Sequence, residues 1–369
     1  MDNARRLADY DAASRTIASF LLQSQPHHEG QARAPLHVLL ISDGRPGHYR
    51  QSEGVVAAVA RRRAVSVQRL DLATRKIIPK GLIPKLGRLL PPALFVRLVH
   101  GLASASVAPA DLIVSSGGST LGANVAFARL QGTPNVFSGS TRGFPLEAFH
   151  LVLTPYPSVA RPPIVVAGAK PTPFDPDRVP PPRALHAPED LRNARISLLV
   201  GGPTSVADFR DDDWDRLARL VGELAGAWQC RVTIVTSPRT PDAAYARVTP
   251  LLGDAVALID YRTAGPGSIE RAFDCEAVLI TSDSMSMMTE AALSRRPAIA
   301  LAPAVTRPHR DDEAVAGLVD ARWLALVPLA SADAARVAAA AATLKPMTEN
   351  HLDRLAALVL SGISEGAQV

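Results

Sequence analysis

Four short loops hold the residue types that acid–base catalysis and anion binding require. The first reads Ser42-Asp43-Gly44-Arg45-Pro46-Gly47-His48. An imidazole titrates near neutrality and a carboxylate is a proton acceptor, so His48 or Asp43 could take the proton of an acceptor hydroxyl. Gly44 and Gly47, with Arg45 between them, allow a tight turn that leaves amides free. A turn-capping Asp43 beside a surface His48 is the competing reading. In the second loop, Ser115-Ser116-Gly117-Gly118-Ser119-Thr120, amides and hydroxyls could meet an anionic or sugar ligand, or simply form a strand-to-helix turn. The spacing of Gly117, Gly118 and Gly122 is not the dinucleotide fingerprint, which argues against NAD.

The third loop, Gly201-Gly202-Pro203-Thr204-Ser205, is followed by Arg210, and the next strand by Thr236-Ser237-Pro238-Arg239-Thr240. Arg210 and Arg239 could supply guanidinium contacts to a diphosphate, although either alone fits a solvated surface residue. The fourth is Thr281-Ser282-Asp283-Ser284-Met285-Ser286-Met287-Met288-Thr289-Glu290. Free amides and the macrodipole at such a helix start attract a diphosphate, and Glu290, a turn further on, could accept hydrogen bonds from ribose hydroxyls. A Ser/Asp cap with methionines packed inward fits the same residues. There is no Walker A loop, Gly-x-Ser-x-Gly elbow or His-Glu-x-x-His motif. The acidic run His309–Glu313 could bind a metal in principle but fits a solvated helix start, and neither a metal nor a resident cofactor is expected.

Positioning these loops takes a framework of buried strands. Leu36–Ser42 is an almost continuous apolar run, the pattern of a strand covered on both faces of a parallel sheet. Similar runs recur at residues 64–70, 111–115, 134–137 and 150–154, and again from Arg195 (Ile-Ser-Leu-Leu-Val-Gly-Gly) and at 231–236, 255–258, 277–281 and 297–301, with helical segments between. This is α/β alternation in two halves. Prolines crowd residues 168–193, predicting a linker. The expected organisation is an N-terminal extension (1–34), a first Rossmann-like lobe (35–167), the linker (168–193), a second Rossmann-like lobe (194–329) and C-terminal helices (330–369).

Composition sets the outer limits. The chain has 369 residues, 47% hydrophobic and 20% charged, enough to build folded cores. The net charge is +5 and 35 of the 40 basic residues are Arg, a skew that by itself says little about partners. Cys230 and Cys275 lack disulfide or metal-ligand spacing and fit a reducing cytoplasm. No apolar run reaches the roughly 18 to 20 residues of a spanning helix. Bases alternate with aliphatics over residues 75–97, which could rest on an anionic leaflet at the inner face of a membrane or form a partly buried helix pair. Nucleic acid is a poorer partner, since aromatics are scarce and no recognition motif is present.

Taken together, Ser42–His48 with Gln51, Gly201-Gly202 through Arg210, Thr236–Pro241, and Ser282–Met287 with Glu290-Ala291-Ala292 resemble the mitochondrial-fission Elm family, whose bacterial members look like glycosyltransferases. The similarity spans most of residues 36–325. It implies a GT-B-like α/β fold, two Rossmann-type parallel-sheet lobes with an interdomain cleft. The resemblance also implies transfer of a sugar from a nucleoside diphosphate sugar, held by the second lobe without a metal, to a cell-envelope glycan or glycolipid acceptor on the first. Ser237, within the matching Thr236–Pro241 motif, joins the donor side. Two departures are visible: Phe137–Arg142 replaces a Gln-rich segment ending in Asp-Pro-Arg, leaving Arg142 on the acceptor side, and Pro203-Thr204 replaces the usual Asn-Ser. Epimerisation of a nucleotide sugar on the same fold and a non-catalytic, membrane-associated adaptor are the alternatives.

Overall fold

The computed structural model describes residues 34–72, 78–79, 82–102, 106–265 and 267–366. Nearly all of the expected N-terminal extension, and Arg75, Lys76 and Lys80 of the basic segment, lie outside the described residues. The chain divides into two units, one formed by residues up to Pro173 together with those from His351 onward, the other by Phe174–Asn350.

The first unit runs β1 (Leu36–Ser42), α1 (Pro46–Ala60), β2 (Val65–Asp71), α2 (Ile83–Leu89), α3 (Pro92–Phe95, continued by a wider turn over Val96–His100), β3 (Leu112–Ser116), α4 (Leu121–Gln131), β4 (Asn135–Ser138), β5 (Leu151–Thr154) and β6 (Ile164–Val166). Its six strands are all parallel, in the order β2-β1-β3-β4-β5-β6. The apolar run of β1 explains this burial. Val38 and Leu40 face one way, into a core with Tyr49, Val55 and Val59 of α1. Leu39 and Ile41 face the other, against Phe95, Val99 and Phe127 from α3 and α4. Alternate side chains thus feed two cores, which requires helices on both sides of the sheet.

The second unit repeats the plan with β7 (Arg195–Leu199), β8 (Ala207–Asp208), α5 (Asp211–Ala225), β9 (Arg231–Val235), α6 (Asp242–Val248), β10 (Val256–Ile259), α7 (Ser268–Phe273), β11 (Ala277–Thr281), α8 (Met285–Leu293), β12 (Ala298–Ala302), β13 (Val305–Thr306), α9 (Asp311–Asp320), β14 (Leu324–Pro328) and α10 (Ala334–Thr343). Its main sheet is β10-β9-β7-β11-β12-β14, again parallel, while β8 and β13 form a small antiparallel pair. The last helix, α11 (His351–Gly366), belongs to the first unit, where Leu352, Leu355, Ala356 and Val359 join the core beside α1.

The strands read from the sequence occur where expected, to within a residue or two. Edge strands β6 and β14 were not foreseen. The division between units falls inside the predicted Pro-rich linker, and the expected C-terminal helix group is split, with α10 in the second unit and α11 in the first. Part of the linker is held firmly: the guanidinium of Arg296, fully buried, donates to the carbonyls of Pro180, Cys275 and Ser294.

Candidate functional site

In each sheet the chain leaves a central strand in one direction and later resumes on that strand's other side, and open parallel sheets bind ligands where this reversal occurs. In the first unit the reversal lies between β1 and β3. Their carboxyl ends carry the Asp43–His48 and Gly117–Thr120 loops, and the structure brings these together.

Asp43 is the hub. Its Oδ2 lies 2.9 Å from His48 Nδ1 and also accepts the Ser119 hydroxyl, while Oδ1 accepts the Arg45 amide at 3.2 Å. Burial pushes the Asp43 pKa up, but the bonds from His48 and Ser119 and the nearby imidazole outweigh it and hold the carboxyl down at about 2. The group is therefore ionised at neutral pH and can only accept, so Nδ1 of His48 carries the proton it shares with Oδ2. In the neutral ring this leaves Nε2 as the acceptor. Gly117 makes the contact possible: its φ is +88°, and a Cβ there would fall 2.1 Å from His48 Nδ1. Gly118 admits the Arg142 guanidinium in the same way, at 2.5 Å. Gly44 turns at φ +73° and donates to Ser42 Oγ, whereas Gly47 has open space around it. The Arg45 guanidinium is mostly exposed and only 3.9 Å from Asp43. Gln51 takes part too, accepting from Ser138 Oγ at 2.9 Å.

The corresponding position in the second unit lies between β7 and β11, whose carboxyl ends carry Gly201-Gly202 and Ser282–Ser286. Asp283 was expected on the ligand; its carboxylate instead turns inward, fully buried, and is taken up by protein donors. It accepts from Thr281 Oγ1 at 2.7 Å, Arg239 Nη2 at 2.7 Å and the Gly202 amide at 3.3 Å. The paired glycines are needed for close approach, not for a left-handed turn. A Cβ on Gly201 would lie 2.2 Å from the Asp283 carboxylate, and one on Gly202 would lie 1.9 Å from the Arg239 carbonyl. The Ser237–Thr240 turn is latched to the same loop, as Thr240 Oγ1 donates to the Val200 carbonyl and accepts from the Ser237 amide. Ser237 Oγ accepts from the Arg239 amide at 3.3 Å.

Ser284 is the N-cap of α8, its Oγ accepting from the Met287 amide at 3.5 Å. The amides of Met285 and Ser286, in the first turn, have no partner within the helix. Ser286 is exposed, and Glu290, half-buried, stands one turn further along the same face. Met285 and Met288 pack inward, and the Ser282 amide extends the ladder to β12 through Leu301. Arg210 is not brought to this group; it is exposed at the N-cap of α5, where its amide donates to buried Asp213. Among the described residues no cluster of three or more His, Cys, Asp or Glu side chains could hold a metal ion.

Sequence reasoning placed Ser119, Thr240 and Thr281 in these loops but did not find that they bond to the protein itself. Ser119, Thr281 and Thr240 are ordinary strand-end hydroxyl residues, and only the strand order shows what they face. It also missed Asp260, at the end of β10, which accepts from Tyr245, Thr236 and Arg262; the Arg262 guanidinium holds its carboxyl far below the usual range.

Comparison with known proteins agrees with this architecture. A Listeria monocytogenes protein described provisionally as a UDP-N-acetylglucosamine 2-epimerase superposes with a TM-score of 0.54 at 13% identity, over 91% of this chain and 97% of that one. UDP-GlcNAc 2-epimerase from Neisseria meningitidis bound to UDP-GlcNAc gives 0.50 at 13% identity, over 89% and 100%. MurG of Acinetobacter baumannii gives 0.47 at 14%, over 89% and 100%. No curated protein matches significantly. The fold is GT-B-like, with two Rossmann-like lobes. The family described as Mitochondrial fission ELM1 matches residues 46–361, and the chain belongs to it.

Proposed function

We propose that the protein is a glycosyltransferase that moves a sugar from a nucleoside diphosphate sugar to a glycan or glycolipid hydroxyl. The second unit holds the donor: the first-turn amides of α8, with Ser282, Ser284, Ser286 and Arg239, receive the diphosphate, and Glu290 receives the ribose hydroxyls. Asp283 acts behind them, fixing Arg239 and the Gly201-Gly202 loop. In the first unit, His48 Nε2 takes the acceptor proton as the acceptor oxygen bonds to the anomeric carbon. The bond from that carbon to the diphosphate breaks, and its electron pair leaves with the diphosphate. Amides and a guanidinium stabilise that charge, so the step needs no metal ion.

The observation that carries this reading is the Asp43–His48 hydrogen bond at the reversal point of the first sheet, which presents an oriented imidazole base. Donor identity can be screened by thermal shift with nucleoside diphosphates and their sugars, beginning with UDP-GlcNAc, the ligand of the Neisseria structure. A ligand selective for the folded state raises Tm. Transfer is then tested by adding candidate acceptors. Release of nucleoside diphosphate only in their presence supports the proposal. Isomerised sugar from donor alone would make the protein an epimerase, and partner capture with no nucleotide binding would make it an adaptor.

A further inference from the structure

The outer face of α2 and α3 has no part in either site. The inner face is core: Ile83, Phe95, Val96 and Val99 are buried with Leu39 and Phe127. Contact with α4 is so close that a Cβ on Gly122 would lie 2.5 Å from the Phe95 ring. The pair is thus pressed against the helix that follows the Gly117–Thr120 loop. Outward, Leu82, Leu89, Leu94 and Leu98 are exposed, Leu89 by 80%. A lone exposed leucine means little, but among the described residues nine large hydrophobics are exposed and four of them fall in this one stretch. Helical spacing puts Lys85 between Leu82 and Leu89, and Arg97 beside Leu94 and Leu98, and both bases are exposed.

Charge identifies what would cover this face. Residues 82–102 include no acidic residue, yet they carry Lys85, Arg88 and Arg97, in a chain with 35 Asp and Glu. A second copy would set cations against cations. A bilayer surface takes leucines into its interface and bases at its headgroups, with no need for a matched set of hydrogen bonds.

We propose that the outer face of α2 and α3 docks on a bilayer containing anionic phospholipid. The face adjoins the proposed acceptor loops, since Arg88 Nη1 donates to the Gly143 carbonyl at 3.0 Å and the neighbouring Arg142 lies against Gly118. If sugar transfer is the activity, the acceptor is lipid-borne. That step rests on the function proposed above; the docking itself does not.

The test is flotation of the full chain with phosphatidylcholine vesicles, with and without about 30% phosphatidylglycerol. Binding is expected only to the anionic vesicles and is expected to weaken with salt. Leu89→Glu with Leu98→Glu, and separately Lys85→Glu with Arg97→Glu, should each lower partitioning about tenfold or more without changing Tm or nucleotide binding. Absence of wild-type binding at low salt, or unchanged binding by both double variants, would overturn the proposal. So would a dimer, seen by sedimentation, that the leucine changes dissociate while vesicles have no effect. Vesicle binding without nucleotide binding would refute the transferase and leave the docking intact.

Discussion

Asp43 and Glu53 stand at opposite ends of one short stretch and carry opposite shifts. Burial raises both, but at Asp43 the donors His48 and Ser119 prevail and the pKa falls to about 2, whereas at Glu53 burial outweighs Arg50, Tyr49 and Arg69 and the pKa stays raised. The consequences for stability have opposite signs. The contribution of ionised Asp43 is present above its ordinary value of 3.8 and is lost as pH falls toward 2; it is worth on the order of 2 kcal/mol. Asp43→Asn should therefore flatten the acid limb of the stability curve, read by denaturant melts across that range. In turnover assays the same variant should lower kcat by about 10² or more, with donor affinity unchanged, because an amide cannot hold His48 in the same protonation pattern. For Glu53 the favourable state is the protonated one, and its contribution disappears as pH rises. Glu53→Gln keeps an acceptor for the Tyr49 hydroxyl and should raise Tm at pH 7 more than at pH 4; an equal effect at the two pH values would contradict the assigned shift.

At the level of loops and helix starts, two glycines that look alike in sequence differ in what they tolerate. Gly202→Ala would drive its methyl into the Arg239 carbonyl. Backbone on both sides must then move, at a cost of about 1–3 kcal/mol, and the displaced Arg239 should weaken binding of any nucleoside diphosphate in calorimetry. Gly47→Ala, in open space within the first turn of α1, should be neutral or slightly stabilising. The sequence marks both as loop or cap glycines, since spacing records where a turn must occur and not what passes beside it. Asp283 illustrates the same limit. An acidic residue at a strand end before a helix could face solvent, ligand or core, and the choice depends on Arg239 and the Gly202 amide, which reach it from separate segments.

Across the whole molecule, burial on both faces makes the central strands legible. Strands such as β1, β7 and β11 have neighbours on both sides and are buried on both faces, so their runs are largely apolar and were readable. The edge strands β6 (Ile-Val-Val) and β14 (Leu-Ala-Leu-Val-Pro) are apolar as well, but β6 is only three residues long behind Pro162-Pro163, and β14 ends on Pro328 and exposes Leu326 by 49%, so prolines and shortness hide them as strands. The loops at the reversal points were recognisable by composition, but their pairing required the strand order, a long-range property. The return of the chain to the first unit is of the same kind. The apolar stripe of α11 fits any uncovered helix, and its destination is settled by contacts with α1, including the two-pronged pair in which Arg61 Nε and Nη2 donate to Asp353 at 3.0 and 2.8 Å. Val359 has no exposed surface in that packing. Val359→Asp would bury an unpaired carboxyl, at about 3 kcal/mol or more. Hydrogen exchange should then accelerate in α1 and β1 of the first unit while the amides of β7, β9 and β11 keep their protection. Equal loss in both sheets would mean that the two units unfold as one, contrary to the separate cores from which each is built.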